Sequence, residues 1–368
     1  MNHYQIIHAT INHREPDRVP LWFMGFFDTS VMEQLLPPEC LGKDRDSLIA
    51  LQQYLDNSVI SIGRGANINF GHGSPGEFFF TVKEENENYR ILEFENLARW
   101  KIEKHPYSRT YLYLPVEKKQ DLEGLSLPDP RDPERYRGLK DDADYFKDKG
   151  YFVTAPVMGF FSGMHYFFRR FDEVLSDLIL DTEFSHRLIN KLGEFNLACA
   201  EKLLDCGVHA ITLCDDLGSA ENLLISPRLY HEYFFPWHKK LADMCHSRGA
   251  YIHLHSHGNI NAIMDYIVEA GVDILNPLDP EENMNLEELK QKYGEKITLC
   301  GGISRNFSSM SRHDLEAHIE ATIRIGARGG GYMVMDGSGI PDTMTKQDFQ
   351  FYIDTLRKYR QKYGTKAS

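Results

Sequence analysis

Three histidines at alternate positions, His253, His255 and His257, end the run Ala250-Tyr251-Ile252-His253-Leu254-His255-Ser256-His257-Gly258-Asn259. Residues i and i+2 of a strand share a face, so the three imidazoles point the same way. Imidazole is a common zinc ligand and a common general base. A strand that turns polar only at its C-terminal end reads as one that delivers chemistry into a site. The pattern implies a metal or acid–base centre, with a polar surface edge holding one structural histidine as the alternative.

No single strand can surround an ion or a substrate, so other elements must converge on this one. Short apolar runs at 19–25, 58–63, 151–158, 210–215, 250–257, 273–277, 297–302 and 331–336 are bounded by turn residues. Helical patterns lie at about 45–56, 164–204, 227–247, 260–270, 285–293, 311–325 and 346–362. This alternation is the mark of βα units on a parallel sheet, and eight such units close most economically as a (β/α)8 TIM barrel. The expectation is an α/β fold forming one domain over residues 1–368.

Barrel sites are built where strands end. The fourth strand ends Cys214-Asp215-Asp216-Leu217-Gly218, the fifth His255-Ser256-His257-Gly258, the sixth Asn276, the seventh Cys300-Gly301-Gly302 and the eighth Asp336-Gly337-Ser338-Gly339. Asp215, Asp216, His255 and Asp336 are therefore the candidate catalytic residues. Either aspartate could ligate, orient a histidine or cap the next helix.

The gap between the second and third strands is too long for one crossover. Its centre, 76–82 and 89–94 around Glu84-Glu85-Asn86-Glu87-Asn88, predicts an antiparallel β-hairpin, with a further extended piece at 110–116. The block of about 65–120 is expected as an insertion over the catalytic mouth, or as a packing flap without ligand contact.

The bulk properties exclude several classes. With 42% hydrophobic and 12% aromatic residues, the composition is that of a globular enzyme rather than a disordered chain. A formal charge of −13 argues against nucleic acid as a partner. Six cysteines without a CxxC pair suit a reducing compartment, and neither a signal-like N-terminus nor a long apolar run is present. A cytoplasmic protein without membrane contact is expected, and a homodimer is compatible with the chain.

Several phrases in order resemble the uroporphyrinogen decarboxylase superfamily, in particular its corrinoid-dependent methyltransferases and demethylases. They are the Cys214–Gly218 phrase, Ile225-Ser226-Pro227-Arg228-Leu229-Tyr230, His255-Ser256-His257-Gly258-Asn259, Gly301-Gly302-Ile303-Ser304, and Gly329-Gly330-Gly331-Tyr332 leading into Gly339-Ile340-Pro341. The resemblance implies a barrel and, in the methyltransferase branch, zinc held by a His-x-Cys after the fifth strand and a cysteine after the eighth. Here His255 stands at the histidine, His257 replaces the first cysteine, and Ser338 stands at the second. His255, His257 and Cys300 are the metal-ligand candidates, with Asp336, Asp215, Glu77 or Glu93 as further donors. Neutral serine is a poor zinc ligand.

The decarboxylase branch grips carboxylates with an arginine-rich N-terminal segment. The matching stretch here, Pro20-Leu21-Trp22-Phe23-Met24-Gly25-Phe26-Phe27-Asp28, is aromatic and lacks arginine. Trp22, Met24 and Phe26, with Phe160, Phe161, Tyr166, Phe167 and Phe168, suit a small, flat, neutral methylated substrate such as an O-methyl aromatic, or else pack the core. Arg64, His165 and Asn276 complete the candidate substrate-facing set. Arg305 is a candidate for an anionic group, whereas His72 and the glycines at 326–331 read as loop residues.

The function implied is transfer of a methyl group to the cobalt of a corrinoid on a separate carrier protein, since the chain lacks an Asp-x-His-x-x-Gly carrier signature. A basic leaving group needs a Lewis acid or a proton, supplied by zinc or by a nearby Asp or His. The alternatives are a metal-independent decarboxylase or other lyase, and a non-catalytic binding subunit.

Overall fold

A computed structural model of the chain describes all residues except 27–28, 43, 64–72, 105–106, 336–338 and 366–368. Eight strands form one parallel sheet: β1 (Leu21–Trp22), β2 (Val59–Ser61), β7 (Phe152–Met158), β8 (Ala210–Cys214), β9 (Tyr251–His255), β10 (Ile274–Asn276), β11 (Thr298–Cys300) and β12 (Tyr332–Met335). Their order, β1-β12-β11-β10-β9-β8-β7-β2, leaves only β1 and β2 without a strand ladder between them. That seam is bridged where the Ser58 N–H donates to the Leu21 carbonyl at 3.0 Å and Phe23 N–H donates to Asn57 Oδ1 at 2.9 Å. The result is the expected (β/α)8 barrel.

Parallel strands covered on both faces must be apolar throughout, and β7 is buried along its whole length. Helices including Thr182–Asp205, Phe235–Ser247, Arg312–Ala327 and Lys346–Lys362 cover the outside. The helical pattern expected at 164–204 is divided into a π-helical turn (Met164–Phe168), a helix (Phe171–Leu180) and the helix Thr182–Asp205. The first break follows from Arg169, which extends the backbone to donate to Asp177 at 2.7 Å and to the carbonyls of Val116 and Glu117. Asp181 then caps the next helix through the Phe184 N–H.

Between β2 and β7 the insertion is larger than a hairpin. It is a four-stranded antiparallel sheet of β3 (Phe80–Glu85), β4 (Tyr89–Phe94), β5 (Arg99–Lys104) and β6 (Tyr107–Tyr113). Leu92, Phe94, Trp100 and Ile102 form its buried face, while Lys83, Glu93, Arg99, Lys101 and Glu103 pair on the other. The two-residue period of β4 and β5 is what sets one face on the barrel and the other in water. Among the described residues, no helix is long and apolar enough to cross a membrane.

Candidate active site

Register determines which side chains share the barrel interior. Cys214 of β8, His255 of β9 and Asn276 of β10 are successive Cα partners, so they face the same side at one level. Thr212 and His253 are partners one pleat below, and the Thr212 hydroxyl lies 3.2 Å from His253 Nδ1. Burial holds the His253 imidazole down to about 3, and the ring packs on Trp22 with centroids 4.0 Å apart. His253 is therefore a neutral interior residue.

The two upper histidines are each fixed through one nitrogen. His255 Nδ1 is 2.9 Å from Asn276 Oδ1, and Asn276 in turn donates to Met335 Sδ at 2.8 Å. His257 Nδ1 is 3.1 Å from Glu282 Oε1. Glu282 pairs with Arg305, whose Nε lies 2.7 Å from Asp279 Oδ2. Burial works against a charged His257, but the Glu282 hydrogen bond and the charges of Asp216 and Glu282 raise it above the ordinary histidine range.

Asp216 stands between the histidines. Its Oδ1 accepts the His257 N–H at 2.9 Å and lies 3.9 Å from His255 Nε2, while its Oδ2 accepts from the Tyr166 hydroxyl at 3.3 Å. Burial opposes its charge, yet the two imidazoles and these hydrogen bonds hold its carboxyl below the usual range.

Asp215 faces the other way. Its carboxylate accepts the backbone N–H groups of Phe160, Phe161 and Ser162 at 2.8–3.2 Å and lies 3.0 Å from His238 Nε2. It thus caps the short helix Phe160–Gly163 after β7, not the helix that follows β8. A close backbone approach sets the height of the rim: a Cβ on Gly258, whose φ is +94°, would sit 2.3 Å from Gly218 Cα. Gly218 N–H donates to His257 O at 3.1 Å across the same contact.

The remaining candidates fall in several places. Trp22, Met24 and Cys300 belong to an interior cluster with Met333 and Met335. Phe26 is buried against Phe23 and Phe349, and Phe160 against Trp237 and His238. Phe161, Phe167 and Phe168 are likewise fully covered, so of the aromatic residues after β7 only Tyr166 reaches the Asp216 cluster. His165 is boxed by Phe161, Tyr166 and Phe171, and burial holds it down to about 4. Glu77 Oε2 accepts from the Gly73 N–H, and Glu93 pairs with Lys83 and Arg99 on the outer face of the insertion. Arg64, His72, Asp336 and Ser338 lie outside the described residues.

Sequence reasoning missed Glu282, Asp279 and His238 entirely, and placed Cys214 in a motif without seeing that it shares a level with His255. The phrase Asp279-Pro280-Glu281-Glu282 after β10 was the available signal, an acidic cluster at a strand end.

Zinc needs three or four donors around one point. An Nδ1 held by an oxygen is how ligating histidines are oriented, and His255 and His257 both meet that condition. A complete donor set is not formed: among the described residues, no three His, Cys, Asp or Glu side chains are grouped so as to hold a metal ion.

No curated protein matches the chain in sequence. In three dimensions it is similar to a methyltransferase from Methanosarcina mazei, with a TM-score of 0.69 and 14% identity over 98% of this chain and 99% of that one. It is also similar to a B12-independent methionine synthase from Shewanella sp. W3-18-1, with a TM-score of 0.51 and 10% identity over 94% and 97% of the two chains. At such identities these likenesses speak for the fold. The model of the family described as uroporphyrinogen decarboxylase (URO-D) matches residues 100–359, from β5 of the insertion to the last helix, and so takes in β8, β9 and every residue of the Asp216 cluster. The chain belongs to the uroporphyrinogen decarboxylase family.

Proposed function

We propose that the protein is a methyltransferase that moves a methyl group from a small methylated donor, an O-methyl aromatic, to the cobalt of a corrinoid presented by a separate carrier protein. The observation that supports this reading most is the Asp216 cluster: beyond the C-terminal ends of β8 and β9, two imidazoles are each held through Nδ1, and one carboxylate lies 3.9 Å from His255 Nε2 and accepts the backbone N–H of His257. The same overall fold is found in the Methanosarcina methyltransferase.

Breaking a methyl–oxygen bond leaves the electron pair on the departing oxygen, which must receive a proton or meet a positive charge. His257 suits that task, since Glu282 and Asp216 favour its protonated form. Asp216 holds the backbone of His257 and faces His255 Nε2, so it keeps both rings in register with the donor. As the alternative to that proton, zinc held by His255 and His257 with both rings neutral would supply Lewis acidity to the same oxygen, but among the described residues no third donor is grouped with them. A lyase acting on a polycarboxylate needs unengaged arginines, and Arg305 is instead committed to Asp279 and Glu282.

The test is transfer from a panel of methoxylated aromatics to reduced cobalamin, with zinc, cobalt, iron and nickel measured per chain by elemental mass spectrometry. His255→Ala is expected to lower transfer by about 100-fold or more while the fold survives. Wild-type turnover in that variant would remove the proposal. Stoichiometric zinc lost from His255→Ala and His257→Ala would establish the metal.

A further inference from the structure

The insertion meets the site at one turn of the barrel, the turn after β7. After β7 the chain makes the π-helical turn Met164–Phe168, a geometry in which backbone groups lose their regular helical partners. Side chains of the insertion take up two of its carbonyls. Trp100 Nε1–H donates to Tyr166 O at 2.9 Å, and Asn96 Nδ2–H donates to Phe167 O at 2.6 Å. The Trp100 ring also packs on Phe167, centroids 4.8 Å apart.

The side chain of Tyr166 is held from the same direction. Arg109 of β6 places its guanidinium 4.3 Å from the Tyr166 ring centroid and 4.9 Å from that of Trp100, and Tyr111 stacks on Tyr166 at 6.2 Å. At the far end of the phenol, the hydroxyl meets Asp216 Oδ2. Asp216 is thus gripped on one oxygen by the His257 N–H, just past β9, and on the other by a ring whose position the insertion sets. A cation over the ring face also makes the phenol a stronger donor, because it draws electron density from the oxygen.

We propose that Arg109 is a positioning residue: by stacking on Tyr166 it holds the phenol hydroxyl on Asp216, so that the insertion as well as the barrel fixes the carboxylate beside His255. The role in catalysis, though not the contact itself, rests on the methyl-transfer reading. Among the described residues of the insertion, Arg109 is the one whose charge stands over a ring that touches the cluster.

The test uses the full chain with 3-fluorotyrosine incorporated at position 166 and read by fluorine NMR in wild type, Arg109→Met, Arg109→Lys, Asp216→Asn and the Arg109→Met/Asp216→Asn double variant. Arg109→Met and Asp216→Asn are each expected to move the 166 resonance, and the double variant to move it no further than Asp216→Asn does. Arg109→Lys keeps the cation and loses the planar stack, so it should restore part of the shift even if Arg109→Met folds poorly. A resonance unmoved by Arg109→Met, or shifts that simply add, would overturn the proposal. In the methyl-transfer assay, Arg109→Met should lower kcat by about 10-fold to 100-fold with KM little changed, and wild-type kcat would overturn the positioning role. Coupled fluorine shifts in a protein that transfers no methyl group from any donor would count against the proposed function and leave the contact standing.

Discussion

His257 Nδ1 and Glu282 Oε1 lie 3.1 Å apart and tie the end of β9 to the turn after β10. Glu282 also holds Arg305, so one carboxylate serves an imidazole and a guanidinium.

Glu282→Gln should therefore lower the His257 pKa, which NMR titration of the imidazole protons would follow. Burial pushes the Glu282 carboxyl up, but His257 and Arg305 outweigh it and hold it low, while His257 is held high. The His257 contribution to stability is complete below the unfolded histidine value of about 6.5 and is lost as pH rises through the raised folded value. The Glu282 contribution is complete above the unfolded carboxyl value of about 4.3 and is lost as pH falls through the depressed one. Urea unfolding should show the wild-type advantage over Glu282→Gln greatest between about pH 4.5 and 6.5, at about 2 kcal/mol, the scale of a hydrogen bond to a charged group.

Asp215 and Asp216 should separate by phenotype. Asp215→Ala removes the acceptor for three backbone N–H groups and His238, and should cost about 3 kcal/mol, seen as a fall of several degrees in Tm. Asp216→Asn keeps one acceptor oxygen for the His257 N–H and turns an amide N–H toward the Tyr166 hydroxyl, which can accept it, so Tm should move little while methyl transfer falls. Equal melting of Asp215→Ala and wild type would contradict the capping role.

The protein should lose stability on mild acidification. Burial holds His165 and His209 down to about 4 each, against an unfolded value of about 6.5. The unfolded chain binds more protons between those values, so stability falls as pH drops from about 6.5 to 4. His165→Phe keeps the aromatic box and removes one titrating group, and its unfolding free energy should depend less steeply on pH across that window.

Gly258→Ala should disturb the rim specifically. A Cβ there meets the Gly218 backbone and must also adopt a φ of +94°, so the loss should be about 2–4 kcal/mol. Chemical shifts of His257 and Asp216 should move before those of residues at the other end of the barrel. A variant as stable as wild type with unchanged rim shifts would show that the two turns are not in contact.

Much of the architecture was legible because strand ends and helix starts carry local signals. Gly207, Gly249 and Gly271 mark left-handed turns ahead of barrel strands, and Ser226, Asn285, Ser311 and Thr345 are N-caps as their types suggest. The histidine alternation placed three imidazoles on one strand face; His253 and His255 lie on one face of β9, whereas His257 lies past the strand end. What was hidden depends on partners distant in sequence. The break at Arg169 comes from Asp177 and the carbonyls of Val116 and Glu117, which no helical period encodes. β5 was missed because Arg-Trp-Lys-Ile-Glu-Lys reads as polar until its alternate residues are seen to face the barrel. The sharing of Glu282 between His257 and Arg305 likewise exists only once three strand ends are brought together.

The two neighbouring aspartates have a consequence for how this chain can diverge. Asp215 braces the scaffold through the Phe160–Gly163 helix and His238, while Asp216 serves the histidines, and only their opposite pleat keeps these tasks apart. Adding or deleting a single residue within β8 would exchange the tasks in one step, sending the brace into the mouth and the carboxylate beside the histidines into the wall. Length in this stretch should therefore be frozen in any descendant that keeps the chemistry, even where the side chains around it drift.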